Sequence, residues 1–241
     1  MNLSTKMERR MIDLAELRLD GAGEERTIRG YAAVFDSMSQ PLMGFREVIR
    51  KGAFRKTVRE ADIRALWNHD PNFVLGRKSA RTLQLSEDDK GLLARIFPPQ
   101  TTWASDLMES IQRGDVSQMS FGFRAIKDKW NPPGADGLPV RELLEVQLFD
   151  VSPVTFPAYP QTEVHVRAVM DAVLNRMQAG DLGTEERTAL ATALENLRSS
   201  VLEPGIPHSG GQQPEPGIPH STEPGRTLQE RRQRLLDLLG Q

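Results

Sequence analysis

Cysteine is absent from all 241 residues, which excludes disulfides, thiolate nucleophiles, thiolate zinc sites and iron–sulfur clusters. An excess of charge of either sign is also missing. Thirty-one Lys and Arg against 33 Asp and Glu leave a formal net charge of -2, so there is no global basic field for nucleic acid. No apolar run approaches the roughly 20 residues of a membrane span. The N-terminal stretch Met7-Glu8-Arg9-Arg10-Met11 lacks the apolar core of a signal peptide. A soluble intracellular protein is the expectation, without membrane or nucleic-acid partner. Several motifs are missing too: the Gly-x-Ser-x-Gly elbow, the phosphate loop, the dinucleotide fingerprint and His-Glu-x-x-His. Neither a cofactor nor a metal is therefore expected.

Composition divides what is present. The few aromatics all fall before residue 167. Residues 1–27 read as an N-terminal extension and 28–167 as the main domain. This domain reads as mainly β with flanking helices. Ile28 to Phe35 is an opening strand, Gly52 to Val58 a short helix or turn, and Ile63 to Trp67 a strand leading to His69. Val74 to Lys78, Thr82 to Leu85 and Leu92 to Phe97 read as a meander. Thr101 or Thr102 caps a helix that Gly114 closes. Met119 to Ile126 is a strand, Trp130 to Gly137 an exposed loop, and Leu143 to Phe149 and Val151 to Phe156 are two strands joined around Asp150. Many short strands with few helices predict a closed or nearly closed barrel.

Residues 168–202 carry helical periodicity, split at Gly180 to Gly183, with Leu190, Leu194, Leu197 and Val201 as an apolar stripe. Residues 203–225 hold a direct repeat, Glu203-Pro-Gly-Ile-Pro-His-Ser209 and again Glu215 to Ser221. Proline and glycine at that density predict a tether. Residues 226–241 form a short amphipathic helix, a candidate docking element.

Four histidines occur. His208 and His220 lie in the repeat, which cannot hold rigid geometry and offers no carboxylate or thiol cage for a metal. That leaves His69 and His165 as imidazoles suited to general-base work near neutral pH. A serine hydroxyl needs such a base within hydrogen-bond reach, and the base needs a partner that fixes its tautomer. Ser120, about 50 residues after His69, is a candidate nucleophile: Gly122 leaves the same strand face open, while Phe121 and Phe123 turn to the core. For the third member there are two acids. Glu145 sits mid-strand among Leu144, Val146 and Leu148, where a carboxylate needs a partner. Asp150 stands at a strand end. Glu142 reads as solvated. On pattern alone, a buried structural serine and a half-exposed polar histidine compete with the catalytic reading.

The order of segments adds to this. Ile28-Arg-Gly-Tyr-Ala-Ala-Val-Phe35, Glu47-Val-Ile-Arg-Lys-Gly-Ala-Phe54, Leu66-Trp-Asn-His-Asp70, Leu75-Gly76, Met119-Ser-Phe-Gly-Phe123 and Leu148 to Pro160 together resemble the prohead (capsid maturation) proteases of HK97-type tailed phages. The resemblance covers about Ile28 to Arg167. It implies kinship with the herpesvirus assembly proteases, a β-barrel core surrounded by helices, and a serine endopeptidase. By motif His69 would be the base, Ser120 the nucleophile and Glu145 the third member, with Asp150 and His165 as alternatives. Ser117 lacks the following glycine. Backbone N–H groups would form the oxyanion hole. The implied substrates are the scaffold protein or the N-terminal scaffolding region of the major capsid protein, cut inside the assembling prohead in the host cytoplasm. Self-cleavage is implied as well. The herpesvirus relatives dimerise, so a homodimer stands open, though no residue of this chain points to one. Residues 168–241 lie outside the resemblance and would tether the enzyme until autoproteolysis removes them. A non-enzymatic scaffold protein is the main competitor. An esterase of small substrates is a weaker one, lacking the nucleophile elbow.

Overall fold

The structure, a computed structural model, describes residues 7–12, 16–21, 23, 26–42, 44–155, 173, 176–177 and 182–202. Among the described residues, ten strands and three helices with defined bounds follow in order: β1 (Glu8–Ile12), β2 (Arg18–Asp20), β3 (Thr27–Val34), β4 (Arg46–Ile49), α1 (Arg55–Glu60), β5 (Arg64–Trp67), β6 (Asp70–Arg77), β7 (Leu83–Glu87), β8 (Gly91–Ile96), α2 (Thr102–Arg113), β9 (Gln118–Asn131), β10 (Val140–Val154) and α3 (Thr184–Leu202).

The strands form two sheets. One is antiparallel, in the order β2-β3-β8-β7. The other is mixed, β1-β9-β10-β5-β6, with β4 pairing the early part of β10. β4 and β5 both run parallel to β10, β4 beside Val140 to Leu143 and β5 beside Asp150 and Val151. α1 lies in the connection between β4 and β5, which line the same strand at different points. The expected mainly β domain with helices is present. The expected barrel is not: each sheet ends in unpaired edges, and no closed barrel exists among the described residues.

Alternation and helical spacing explain the layers. In α2, Ala104, Leu107, Met108 and Ile111 recur at three- and four-residue steps and are buried against the main core. Gly114 ends the helix in the left-handed region at φ 85°, where a Cβ would be strained. The core fills the space between the sheets, with Phe54 edge-on to Phe121 at 5.5 Å between ring centroids. Burying one such side chain stabilises the fold by about 1.5–3 kcal/mol. A second cluster forms where Ala189, Leu190, Ala193 and Leu197 of α3 cover Phe45 and Trp130. Leu190, Leu194 and Leu197 of the stripe thus pack on this chain's own β9 and the segment before β4.

Several boundaries differ from expectation. β10 is one continuous strand rather than two, because a register shift between Leu148 and Asp150 absorbs the extra residue. β9 runs through to Asn131. β1 and β2 fall inside the segment read as an extension, yet they are strands of the two sheets. The repeat, the terminal helix, His165, His208 and His220 lie outside the described residues.

Candidate active site

His69 is delivered by a turn. Trp67 pairs with Asp70, so Asn68 and His69 alone form the loop between β5 and β6. Both have positive φ, 54° and 59°, as a two-residue type I′ hairpin loop requires. That conformation costs roughly 1–2 kcal/mol per non-glycine residue, so it needs support. Asn68 supplies it. Its backbone N–H donates to the Pro153 carbonyl at 3.0 Å, and its Oδ1 accepts the Thr155 N–H at 2.8 Å. The turn is thereby pinned to the end of β10, the strand that carries Asp150 and Ser152.

Ser120 lies on β9, between Met11 of β1 and Ser152 of β10. Asp150 pairs with Gly122, two residues along β9, and therefore shares the Ser120 face. The imidazole of His69 sits between the two side chains. Its Nε2 is 2.6 Å from Ser120 Oγ and its Nδ1 is 2.5 Å from Asp150 Oδ2. A carboxylate only accepts, so Nδ1 carries the proton and Nε2 is left to accept from the serine hydroxyl. Ser152 Oγ donates to the same Asp150 Oδ2 at 2.8 Å and is itself fully buried. The side chains of His69 and Asp150 are each only 7 % exposed. A carboxylate held in this way orients the ring and stabilises an imidazolium.

Gly122 has a reason different from the expected one. A Cβ at this position would lie 2.4 Å from Asp150 Oδ1. The space beside Ser120 is not left open for substrate; it is filled by the Asp150 carboxylate. Only glycine permits that approach.

Glu145 is not part of this arrangement. It lies five residues up β10, about 16 Å away at 3.3 Å per residue, and its partner is Lys56 Nζ at 3.3 Å. Glu145 pairs with Lys127 of β9, beyond the register shift at Phe149, whereas Asp150 pairs with Gly122 beside the serine. Glu142 accepts from Arg50 at 2.6 Å. Ser117 is exposed, just ahead of β9. Sequence reasoning missed Ser152 and Asn68. The only local signal for either was proximity, Ser152 two residues after one candidate acid and Asn68 one before the histidine.

Strand β1 is paired alongside the nucleophile's own strand. Ser120 is 1 % exposed, and its Oγ is 3.0 Å from the Arg10 carbonyl oxygen. On the other face of β1 is a buried charged cluster. Arg10 Nε and Nη2 donate to the two oxygens of Glu47 at 2.8 and 3.1 Å. Arg141 donates to the two oxygens of Glu8 at 2.8 and 3.2 Å and, through Nε, to Asp128 at 2.7 Å. Burial pushes the Glu8 carboxyl up, but the neighbouring guanidiniums of Arg141 and Arg10 outweigh it and hold the group below the usual carboxylate range. Two surface clefts, one lined by Lys51, Arg55 and Glu87 and another by Gly52, Lys56 and Glu145, share no residue with the His69 site. Among the described residues no group of three or more His, Asp or Glu is placed to hold a metal.

A family model described as caudovirus prohead serine protease matches residues 13–178. The prohead protease of Enterobacteria phage HK97 is 28% identical over 167 residues, covering 67% of this chain and 68% of that protein. A solved structure of the bacteriophage T4 capsid assembly protease covers 61% of this chain and 98% of its own, at 11% identity and a TM-score of 0.39. That likeness is too slight to support any inference about the site.

Proposed function

The chain belongs to the caudovirus prohead serine protease family and is a protease of phage capsid maturation; on that premise we propose that it is a serine endopeptidase with Ser120 as nucleophile, His69 as base and Asp150 as the orienting carboxylate. It acts on capsid proteins inside the assembling prohead. The scaffold, or the scaffolding region of the major capsid protein, is the substrate we propose. The observation that carries the reading is the unbroken hydrogen-bond line from Ser120 through His69 to Asp150.

The chemistry follows from that line. Ser120 Oγ attacks the scissile carbonyl carbon as its proton passes to His69 Nε2. Asp150 stabilises the imidazolium so formed, and Ser152 keeps the carboxylate aimed. The tetrahedral intermediate collapses, and the departing amine takes the proton back from His69. Water, deprotonated by the same imidazole, then hydrolyses the acyl-serine. A positioned base of this kind contributes roughly 10²–10⁴-fold in rate. The non-enzymatic scaffold reading has no use for such a line of bonds.

Intact mass spectrometry of the wild type beside Ser120→Ala, each mixed with the phage capsid protein, tests the proposal. Discrete fragments are expected from the wild type alone. Identical masses in both mixtures would overturn it.

A further inference from the structure

The strand paired alongside that of Ser120 is bound as a substrate would be. β1 runs antiparallel along β9 in unbroken register, from Glu8 opposite Phe123 to Ile12 opposite Met119. Addition of a strand to a sheet edge is a recurrent mode of peptide recognition: main-chain bonds hold the strand, and alternate side chains enter pockets. Ser120 Oγ lies 3.0 Å from the Arg10 carbonyl oxygen and donates to it. One serine proton serves both Arg10 O and His69 Nε2. When it passes to His69, Oγ is released from the carbonyl oxygen and must move onto the face of the adjoining carbon to attack.

Alternation then sends Glu8 and Arg10 together to the other face. There, each meets a complementary fork from elsewhere in the fold: Arg10 the two oxygens of Glu47 on β4, and Glu8 the guanidinium of Arg141 on β10. The ring of Phe123 lies 5.4 Å from the Arg10 guanidinium and walls the first site. Bidentate charge-assisted pairs of this kind recognise as well as hold. If β1 leaves, one acid and one base leave with it. The net charge of the site is unchanged, but Glu47 loses its fork from Arg10 and Arg141 loses its fork from Glu8. As stability devices, buried ion clusters gain little over apolar packing. As a receptor for a strand of matching pattern, this cluster has a use.

We infer that Glu47 and Arg141 are specificity-determining residues of the protease, selecting a strand with a basic side chain at the cleaved carbonyl and an acidic side chain two residues earlier. β1, with Glu8-Arg9-Arg10, is the first strand of that pattern to be cut. This rests on the serine endopeptidase reading and names its substrate class. In the self-cut, Ser120 Oγ bonds to the Arg10 carbonyl carbon and its proton passes to His69 Nε2. The bond to the Met11 nitrogen breaks, and that nitrogen takes the proton as the new N-terminal amine. Water hydrolyses the Arg10 ester, leaving a carboxylate on Arg10 and a free Ser120. The vacated edge of β9 is then open to capsid-protein strands.

The test uses the full chain and a set of synthetic peptides spanning residues 6–14. The full chain, incubated until capsid protein is cut, is expected to begin at Met11 by N-terminal sequencing, whereas Ser120→Ala keeps the preceding residues. With the processed wild type, the peptide is expected to be cut between Arg10 and Met11. The Arg10→Lys peptide should stay within about tenfold in kcat/KM. The Arg10→Gln peptide should fall on the order of 100-fold, as expected for loss of one partner of a buried charge pair. The Glu8→Gln peptide should fall roughly tenfold. Glu47→Gln in the enzyme should shrink the preference for Arg over Gln. Because this variant removes a buried charge and can fail to fold, the peptide series on wild-type enzyme stands as the decisive arm. Ser120-dependent cuts at bonds with no basic residue before them would overturn the specificity and leave the serine endopeptidase reading intact. A self-cut after Arg9, or an N-terminus left whole after capsid protein has been processed, would overturn the placement of β1 as substrate. An absence of any Ser120-dependent cut would overturn both.

Discussion

The two faces of β1 and β9 carry two buried polar assemblies built on opposite terms. On one face, Ser120, His69, Asp150 and Ser152 form a short line with a single carboxylate and no permanent cation. On the other, Glu8, Arg10, Glu47, Asp128 and Arg141 crowd five charges into a site with almost no exposure. The larger concentration of charge is not the reactive one. Chemistry at a serine needs one base in the correct tautomer, which one oriented carboxylate fixes. Holding a strand of particular sequence needs several fixed charges in opposition. β1 joins the two assemblies: its backbone touches the serine and its side chains fill the cluster.

Changes confined to one face separate the two roles. The largest effect on stability is expected from Arg141→Met, which leaves Glu8, Glu47 and Asp128 buried without their shared cation. Removing one partner of a buried pair typically costs about 3–5 kcal/mol. Thermal unfolding should show a clearly lower Tm. An unchanged Tm would mean that the cluster is hydrated.

Gly122→Ala strikes the other face. Its Cβ would meet the Asp150 carboxylate at 2.4 Å, and overpacking of this sort costs about 1–3 kcal/mol. Because the carboxylate must turn away from His69, kcat/KM should fall on the order of 10- to 100-fold, more than the change in Tm would suggest. A fully active Gly122→Ala would show that the carboxylate does not act from that position. Ser152→Ala is milder. It removes one neutral donor to Asp150, worth about 0.5–1.5 kcal/mol, so a loss of roughly three- to tenfold in kcat is expected with KM unchanged.

Acid gives the smallest effect at working pH, and it acts on the charged face. Glu8 has its carboxyl held below the ordinary 4.5 by Arg141 and Arg10, against burial. Its contribution to holding β1 is therefore complete above the ordinary carboxyl range and is lost only as pH falls through the lowered value. In Ser120→Ala, which keeps β1, hydrogen exchange at β1 amides should stay slow through neutral pH and quicken below that range. Loss of protection already near pH 6 would contradict the assignment.

Much of this was legible in the sequence because the signals were local. The alternation in β3, the spacing of Leu107, Met108 and Ile111, and Gly114 at a helix end each report their own element. His69 and Ser120 stood out because histidine is rare and because the segments around them resemble a known family. The third member was placed on Glu145 by the resemblance, with Asp150 as an alternative; that Asp150 lies across from Gly122, beside the serine, is a strand pairing that spacing in the sequence does not show. Gly122 pointed the right way but for a different reason: it makes room for a carboxylate across the ladder, a relation only strand pairing reveals. β1 was hidden because five mixed residues, Glu8-Arg9-Arg10-Met11-Ile12, carry no strand pattern of their own. Pairing with β9 makes them a strand, and the cluster behind them satisfies their charges.

The most direct measurement compares Asp150→Asn with Glu145→Gln, by the rate at which each cuts capsid protein. Asp150→Asn is expected to lose about 10³- to 10⁴-fold while remaining folded, since the amide favours the wrong histidine tautomer. Glu145→Gln, which gives up only a half-exposed contact with Lys56, is expected to match the wild type. A fast Asp150→Asn beside a crippled Glu145→Gln would contradict the assignment of Asp150 to the catalytic line.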